Sequence, residues 1–147
     1  MPRTLGLDVG DRRIGVAVSD PTRLLARPLC VIDRKAQDAV GAILELVRAH
    51  DVDEIVVGLP LHADGRRSEQ SERVAAFAES LRSATPTPIR YHDERHSTQA
   101  AREIIAAKKS RRQDQHDDAV AAAVILQRHL DDLRPLAGGF DDADDDA

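Results

Sequence analysis

The first third of the chain alternates between short apolar runs and polar turns, which is the pattern of consecutive β-strands. Residues 4–8 and 14–19 predict two strands joined by a Gly-Asp-Arg-Arg turn, and therefore a hairpin. In the second strand, large side chains at positions 14, 16 and 18 alternate with small ones at 15, 17 and 19. Residues 24–32 predict a third strand, and Pro28 favours an edge position or a bulge for it.

The remainder of the chain alternates between helical periodicity and short apolar runs. Apolar residues recur at helical spacing in three segments, whereas residues 54–59 and 89–94 have the composition of buried strands. Ser68 and Ser97 stand where helix N-caps are expected. The predicted helices are residues 35–50, a helix beginning after Ser68 with Val74, Phe77, Ala78 and Leu81 on its buried stripe, residues 98–107, and residues 118–130.

This order of elements predicts an α/β fold with a mixed central sheet flanked by helices. The first three strands are expected to be antiparallel, and the later strands to enter in parallel through right-handed crossovers. No internal repeat or dividing linker is present, so we expect one domain over residues 1–135. Residues 136–147 are expected to form a disordered acidic tail, since five of the last seven residues are aspartates.

Charge and composition narrow the functional classes. The net charge of −5 comes from the tail, and the remainder of the chain is formally neutral. Aromatic residues make up only 2% of the chain, which argues against nucleic-acid binding by base stacking. Cys30 is the one cysteine, so neither an internal disulfide nor a cysteine-only metal site is possible. No signal-like or membrane-spanning apolar run is present, so we expect a cytoplasmic protein without membrane association.

Three groups of carboxylates stand at the ends of predicted elements. Asp8 ends the first strand, and Asp93 and Glu94 end the last; only one of these two neighbours can face the same side as Asp8. Asp117 or Asp118 begins the final helix, and Asp118 shares a helical face with apolar residues. Each acid has an alternative role as a turn or helix cap. Brought together, three carboxylates would repel one another unless a divalent cation such as Mg²⁺ lay among them.

Five segments together resemble one protein family. LGLDVGDRRIGVAVSD, VVGLPLHADG, SEQSERVAAFAESL, DERHSTQAA and DDAVAAAVILQ resemble, in order and spacing, the YqgF/RuvX family of RNase H-like nucleases. The resemblance implies an RNase H-like fold and Mg²⁺- or Mn²⁺-dependent endonuclease activity. It implies that the residues that are catalytic and bind the metal are Asp8, Glu94 and Asp118. The expected reaction is maturation of the 5′ end of pre-16S rRNA; the alternative is resolution of Holliday junctions in branched DNA.

Basic residues around these acids are candidates for contacts with nucleic-acid phosphates, although surface arginines and lysines are often only solvated charges. The nearby histidines His62, His92 and His96 are interpreted as bystanders, because two-metal hydrolysis requires no general base. The candidate nucleic-acid-binding residues are Arg12, Arg13, Arg95, Lys108, Lys109, Arg111 and Arg112.

Two other classes of function are weaker. The Asp8-Val9-Gly10 turn also resembles the phosphate-binding turn of actin-like ATPases, but those proteins need two such domains and this chain has room for one. A catalytically silent nucleic-acid-binding protein would gain nothing from three acids beside phosphates. The expected assembly is a monomer or a homodimer, since a junction resolvase would place two sites on a two-fold substrate.

Overall fold

The computed structural model describes residues 2–62, 64–94 and 115–133. In chain order, these residues form three strands, β1 (Arg3–Val9), β2 (Arg13–Ser19) and β3 (Ala26–Asp33), followed by helix α1 (Ala39–Ala49). Strand β4 (Val52–Leu59), helix α2 (Glu69–Ala84), strand β5 (Ile89–Asp93) and helix α3 (Gln115–Leu133) follow. The predicted helix 98–107, the basic segment from 108 to 114 and the tail lie outside the described residues.

The strands form one mixed sheet in the order β3-β2-β1-β4-β5. The two pairings among β1, β2 and β3 are antiparallel, whereas β4 pairs in parallel with both β1 and β5. This confirms the predicted α/β class and sheet. Strand β3 is at the edge, and its register with β2 shifts between Val16 and Ala17, where Ala17 pairs with Pro28. Proline cannot donate to a strand ladder, which explains both the edge position and the shift.

The two faces of the sheet carry side chains of different size, as the alternation in β2 predicts. On one face, large residues such as Leu5, Leu7, Ile14 and Val16 form the main core, covered by α1 and α2. The other face is covered by α3, whose Ala122, Ile125, Leu126 and Leu130 pack with Ala17 and Val56. Small residues on this face let the helix backbone approach the sheet closely.

The ends of several elements differ from the prediction for local reasons. Helix α1 begins at Ala39 instead of residue 35, because the Asp33 carbonyl and carboxylate accept hydrogen bonds from the three residues that follow Arg34 and hold them in a turn. Strand β5 ends at Asp93, and α3 begins earlier and ends later than predicted. The predicted cap at Ser68 is confirmed, since its hydroxyl accepts from the Ser71 amide in a capping box.

Helix α3 is also joined to the edge of the sheet by polar contacts. The Gln127 side-chain oxygen accepts from the Ala26 amide at 2.9 Å, and its nitrogen donates to the Leu24 carbonyl at 2.9 Å. One amide therefore pairs with backbone that an edge strand would otherwise leave open. None of the helices in the described part of the chain is long and apolar enough to cross a membrane.

Candidate active site

Asp8 lies on the face of β1 that α3 covers. Its neighbours Leu7 and Val9 point into the main core, whereas Gly6, two residues before Asp8, faces Leu126 of α3. Side chains two positions apart on a strand share a face, so the Asp8 carboxylate points to the α3 side. Because β1 is central in the sheet and paired on both edges, its backbone is a rigid support for this acid.

Glu94 follows β5 and lies on the same side of the sheet. His92 shows which face this is, because its ring makes an edge-on contact with His129 of α3 at 5.9 Å between ring centres. Of the two acids that the sequence left open, Glu94 is therefore the one on the Asp8 face. Its side chain is 17% exposed and held from two sides: the His92 Nδ1 lies 2.6 Å from Oε2, and Arg128 Nη1 lies 3.4 Å from Oε1.

His92 is itself held between two carboxylates. Its Nε2 lies 3.1 Å from the Asp132 Oδ2 of α3, on the opposite side of the ring from Glu94. The pKa of His92 is raised, chiefly by the hydrogen bond with Glu94 and further by Asp132, against the opposing effect of burial. A histidine interpreted from sequence as a bystander therefore connects Glu94 to α3.

Asp118 reaches the site through close packing of α3 on β2. A Cβ built on Gly15 would stand only 1.9 Å from the Asp118 carbonyl oxygen, and Gly15 is the strand partner of Asp8. The Asp118 backbone thus lies directly over the residue paired with Asp8. The Asp118 side chain is 17% exposed, and its Oδ2 lies 3.1 Å from the Arg13 Nε in an ion pair.

A cavity of about 170 Å³ opens between the ends of β1 and β5 and helix α3. Asp8, Glu94 and Arg128 all line it, together with Gln70 of α2. We call this cavity the acidic pocket. The structure therefore brings Asp8 and Glu94 to one cavity, whereas Asp118 stands beside it against Arg13.

The donors at this position are suited to a hard divalent cation. Mg²⁺ is commonly held by one or two carboxylates, with waters and substrate phosphates completing its shell, and Asp8 and Glu94 on one cavity match that requirement. The Asp118 Oδ2 is buried and, within the described residues, accepts no hydrogen bond of acceptable geometry in spite of its ion pair. As they stand, no three of the described His, Cys, Asp and Glu side chains are close enough to hold one ion. The pocket thus fits a two-carboxylate site, with Asp118 as an adjacent oxygen donor.

The predicted basic residues divide into three groups. Arg13 contacts Asp118, and Arg12 is an exposed side chain 3.9 Å from Asp33. Arg95 and the basic segment lie outside the described residues. Sequence reasoning did not single out Arg128, although it follows Ala121 and Ile125 at positions i+7 and i+3 and so belongs to the same stripe of α3.

This sheet order, with one helix across the small-residue face and carboxylates at the ends of β1 and β5, defines the class of the protein as an RNase H-like α/β fold. The family model for RuvX, described as Holliday junction resolvase, matches residues 2–132. The chain therefore belongs to the RuvX family, as the sequence motifs predict.

Known relatives and structures agree with this assignment. The chain is 44% identical over 105 residues to a "Putative pre-16S rRNA nuclease" of Syntrophus aciditrophicus, covering 71% of this chain and 70% of the relative. It is 43% identical over 129 residues to a protein of the same name from Dehalococcoides mccartyi, covering 86% and 96%. The structure of Thermus thermophilus RuvC with a Holliday junction aligns with a TM-score of 0.55 at 16% identity, covering 88% of this chain and 94% of that one. This last similarity shows the shared fold.

Proposed function

We propose that the protein is a divalent-metal-dependent endonuclease that hydrolyses phosphodiester bonds in structured RNA, at the 5′ end of pre-16S rRNA. The observation that carries this proposal is that Asp8 and Glu94 line one cavity at the sheet edge. The RNA substrate is taken from the name of the relatives that share 43–44% of their aligned residues with this chain. Because the proposed substrate is pre-16S rRNA, we continue to predict that the protein is cytoplasmic.

The residues of the pocket have separable roles in this proposal. A bound Mg²⁺ or Mn²⁺ would polarise the phosphoryl oxygen and lower the pKa of a water, which is the chemistry that divalent ions supply in such sites. Asp8 and Glu94 would hold the metal, with Asp118 beside them. His92 and Arg128 fix the Glu94 carboxylate, and Arg13 fixes Asp118. Arg128 also lines the pocket, where a guanidinium is suited to a substrate phosphate.

A second candidate substrate is a four-way DNA junction. It is favoured by the description of the family model, Holliday junction resolvase. Both reactions require the same acids, so they differ in substrate and not in the chemistry of the pocket. The decisive comparison is cleavage of a labelled pre-16S rRNA 5′ fragment and of a DNA junction by the same purified full-length chain.

Cleavage of the RNA in Mg²⁺ or Mn²⁺, its loss in EDTA and its recovery on adding metal are the expected results. Glu94→Gln should cut at least 100-fold more slowly, since a group that acts at the transition state typically contributes that much. Glu45→Gln is the matched control, because Glu45 is an exposed acid of α1 paired with Arg48. Cleavage that persists in EDTA would contradict the metal dependence. Preferential cleavage of the DNA junction would show that the junction, and not the RNA, is the substrate.

Metal binding can be measured without activity. An ion bound only by the folded protein stabilises it by about 1.4 kcal/mol when present at ten times its dissociation constant. Mn²⁺ should therefore raise the unfolding temperature of the wild type and of Glu45→Gln, and raise that of Asp8→Asn much less. An equal rise in Asp8→Asn would remove Asp8 from the metal site.

A further inference from the structure

Two further cavities lie next to the acidic pocket, beside α2. A small cavity of about 30 Å³ is adjacent and shares Val9 and Gln70 with the acidic pocket. A wider one of about 380 Å³ follows, and it shares Asp11, Arg34 and Arg73 with the small cavity. The three cavities are therefore neighbours along α2, and we call the second and third together the α2 groove.

One face of α2 forms a wall of this groove. Gln70, Arg73, Phe77 and Ser80 all line it, and their spacing of three, four and three residues places them on a single helical stripe. From Gln70 to Ser80 the helix rises by ten residue steps, or about 15 Å at about 1.5 Å per residue.

Arg34 is held in place in the groove from two sides. Its Nη1 donates to the Gly10 carbonyl at 2.7 Å, and its guanidinium lies over the Phe77 ring at 4.9 Å from the ring centre. A guanidinium has five N–H groups, so Arg34 retains donors for a ligand beyond the one given to Gly10. A stacked guanidinium loses little conformational entropy on binding a phosphate.

Arg73 is placed to exchange one partner for another. Its Nε lies 2.9 Å from the Asp11 Oδ1, and both side chains are more than half exposed. Exposed ion pairs of this kind contribute about 0–1 kcal/mol, so replacing Asp11 with a phosphate costs little. Two arginines against one aspartate leave the groove with a net positive charge, next to a pocket lined by acids.

We propose that the α2 groove binds the phosphate backbone of the RNA strand on one side of the bond to be cut, with Arg34 and Arg73 as its phosphate-binding residues. This inference rests on the proposed function, since it extends the same site. A polymeric substrate has to leave the acidic pocket across the protein surface, and the neighbouring α2 groove offers it two arginines. The contacts are to phosphates, so they position the strand without reading its sequence.

The test measures binding of a labelled pre-16S rRNA 5′ fragment to Arg34→Gln/Arg73→Gln over a range of salt concentrations. Each lost phosphate contact lowers the slope of log affinity against log salt by about 0.7 for a single strand, so the double variant should lose about 1.4. We expect its affinity to fall about tenfold, as for the loss of charge-assisted hydrogen bonds. Arg48→Gln, an exposed arginine of α1 outside the groove, is the matched control and should bind as the wild type does.

Two truncated fragments identify the side of the strand. One fragment keeps only the first nucleotide on the 5′ side of the cleavage point, and the other keeps only the first nucleotide on the 3′ side. The fragment that lacks the nucleotides bound by the groove should bind equally well to the wild type and to the double variant. Arg73→Gln alone separates binding from folding, because Arg73 contacts only the surface Asp11 among the ion pairs described. Arg73→Gln should keep the wild-type unfolding temperature. Its slope of log affinity against log salt should fall by about 0.7, which is half of the change expected for the double variant.

The outcomes separate this inference from the function on which it rests. If the wild type cleaves the RNA and the groove variants match it at every salt concentration, the groove is excluded and the nuclease stands. A defect that persists with both truncated fragments would also exclude the groove. If the wild type neither binds nor cleaves RNA, the proposed function fails and the groove fails with it.

Discussion

Replacing Gly15 with alanine tests how α3 is seated on the sheet. Gly15 pairs with Asp8 in the hairpin, and its missing side chain leaves room for the α3 backbone at Asp118. The new Cβ would stand 1.9 Å from the Asp118 carbonyl oxygen and 2.5 Å from its carbon. These are backbone atoms, so the contact cannot be relieved by rotating a side chain.

The size of the effect follows from this distance. To pass from 1.9 Å to the 3.0 Å limit of real contacts, the start of α3 has to move away by about 1.1 Å. Overpacking of this kind costs about 1–3 kcal/mol, and the lower entropy of alanine in the unfolded chain offsets up to about 1 kcal/mol. A net loss of about 1–2 kcal/mol corresponds to an unfolding temperature about 3–6 °C lower for a chain of this size.

Activity should fall further than stability. A displacement of about 1 Å in a site costs on the order of 100-fold in rate, because the reacting groups leave their productive geometry. We therefore expect Gly15→Ala to remain folded at 25 °C and to cleave about 100-fold more slowly, measured as kcat on the RNA fragment. The displaced residue would be Asp118, whose carbonyl meets the new methyl group.

The matched control is Gly41→Ala in α1. Its Cβ would meet only the Asp38 carboxylate, at 2.8 Å, and that side chain can rotate away. Alanine is also the better helix former, so this variant should unfold at or slightly above the wild-type temperature. Should Gly15→Ala cleave and unfold as the wild type does, the close seating of α3 beside Asp8 would be wrong.

Three further variants test the support of the site and the fold. His92→Ala should release Glu94 and lower kcat about 10- to 100-fold with little change in KM, as is typical when the support of a metal ligand is lost; the same kcat in steady-state assays would dismiss this role. Asp20→Ala removes a carboxylate whose pKa is lowered, first by the Leu25 amide and then by Thr22. Because the pKa of Asp20 is lower in the folded chain than in the unfolded chain, the ionised carboxylate stabilises the fold above the unfolded value of about 3.8, and this stabilisation is lost as the pH falls below that value. The wild type should therefore unfold at a higher temperature than Asp20→Ala at pH 7, and the difference should shrink below pH 3.8. A difference that stays constant with pH would contradict the assignment. Ser68→Ala should cost about 1 kcal/mol in urea unfolding by removing the cap of α2, whereas Ser80→Ala, on the exposed side of that helix, serves as the control; equal losses would refute the cap.

Local patterns were sufficient for much of the architecture. The alternation in β2 predicts one face for large side chains and another for small ones, and these faces do separate the main core from α3. Pro28 predicts an edge or a bulge because it lacks an amide proton, and Ser68 predicts a cap because its hydroxyl can accept from the first turn. These signals depend on residues within a few positions of one another, so they can be predicted from the sequence without knowing how the chain folds.

The partners of the acids were not visible in this way. Arg13 meets Asp118, Arg128 meets Glu94, and His92 bridges Glu94 to Asp132, each pair joining separate elements of the fold. Such contacts depend on where α3 lies over the sheet and on its rotation about its own axis. Many side chains in a charged chain have the right chemistry for these roles, and only packing selects among them.

The amino-acid sequence alone determined the order of strands and helices, the class of sheet, the family and the acids at the strand ends. These features follow from periodicity, turn chemistry and motifs, all of which depend on residues close together in the sequence. Tertiary structure alone decided that Asp8 and Glu94 share a cavity while Asp118 stands against Arg13, and that Arg34 and Arg73 line cavities next to it. The physical reason is that hydrophobic burial is nearly indifferent to direction, whereas hydrogen bonds and ion pairs form only after packing has set distances to within about an ångström.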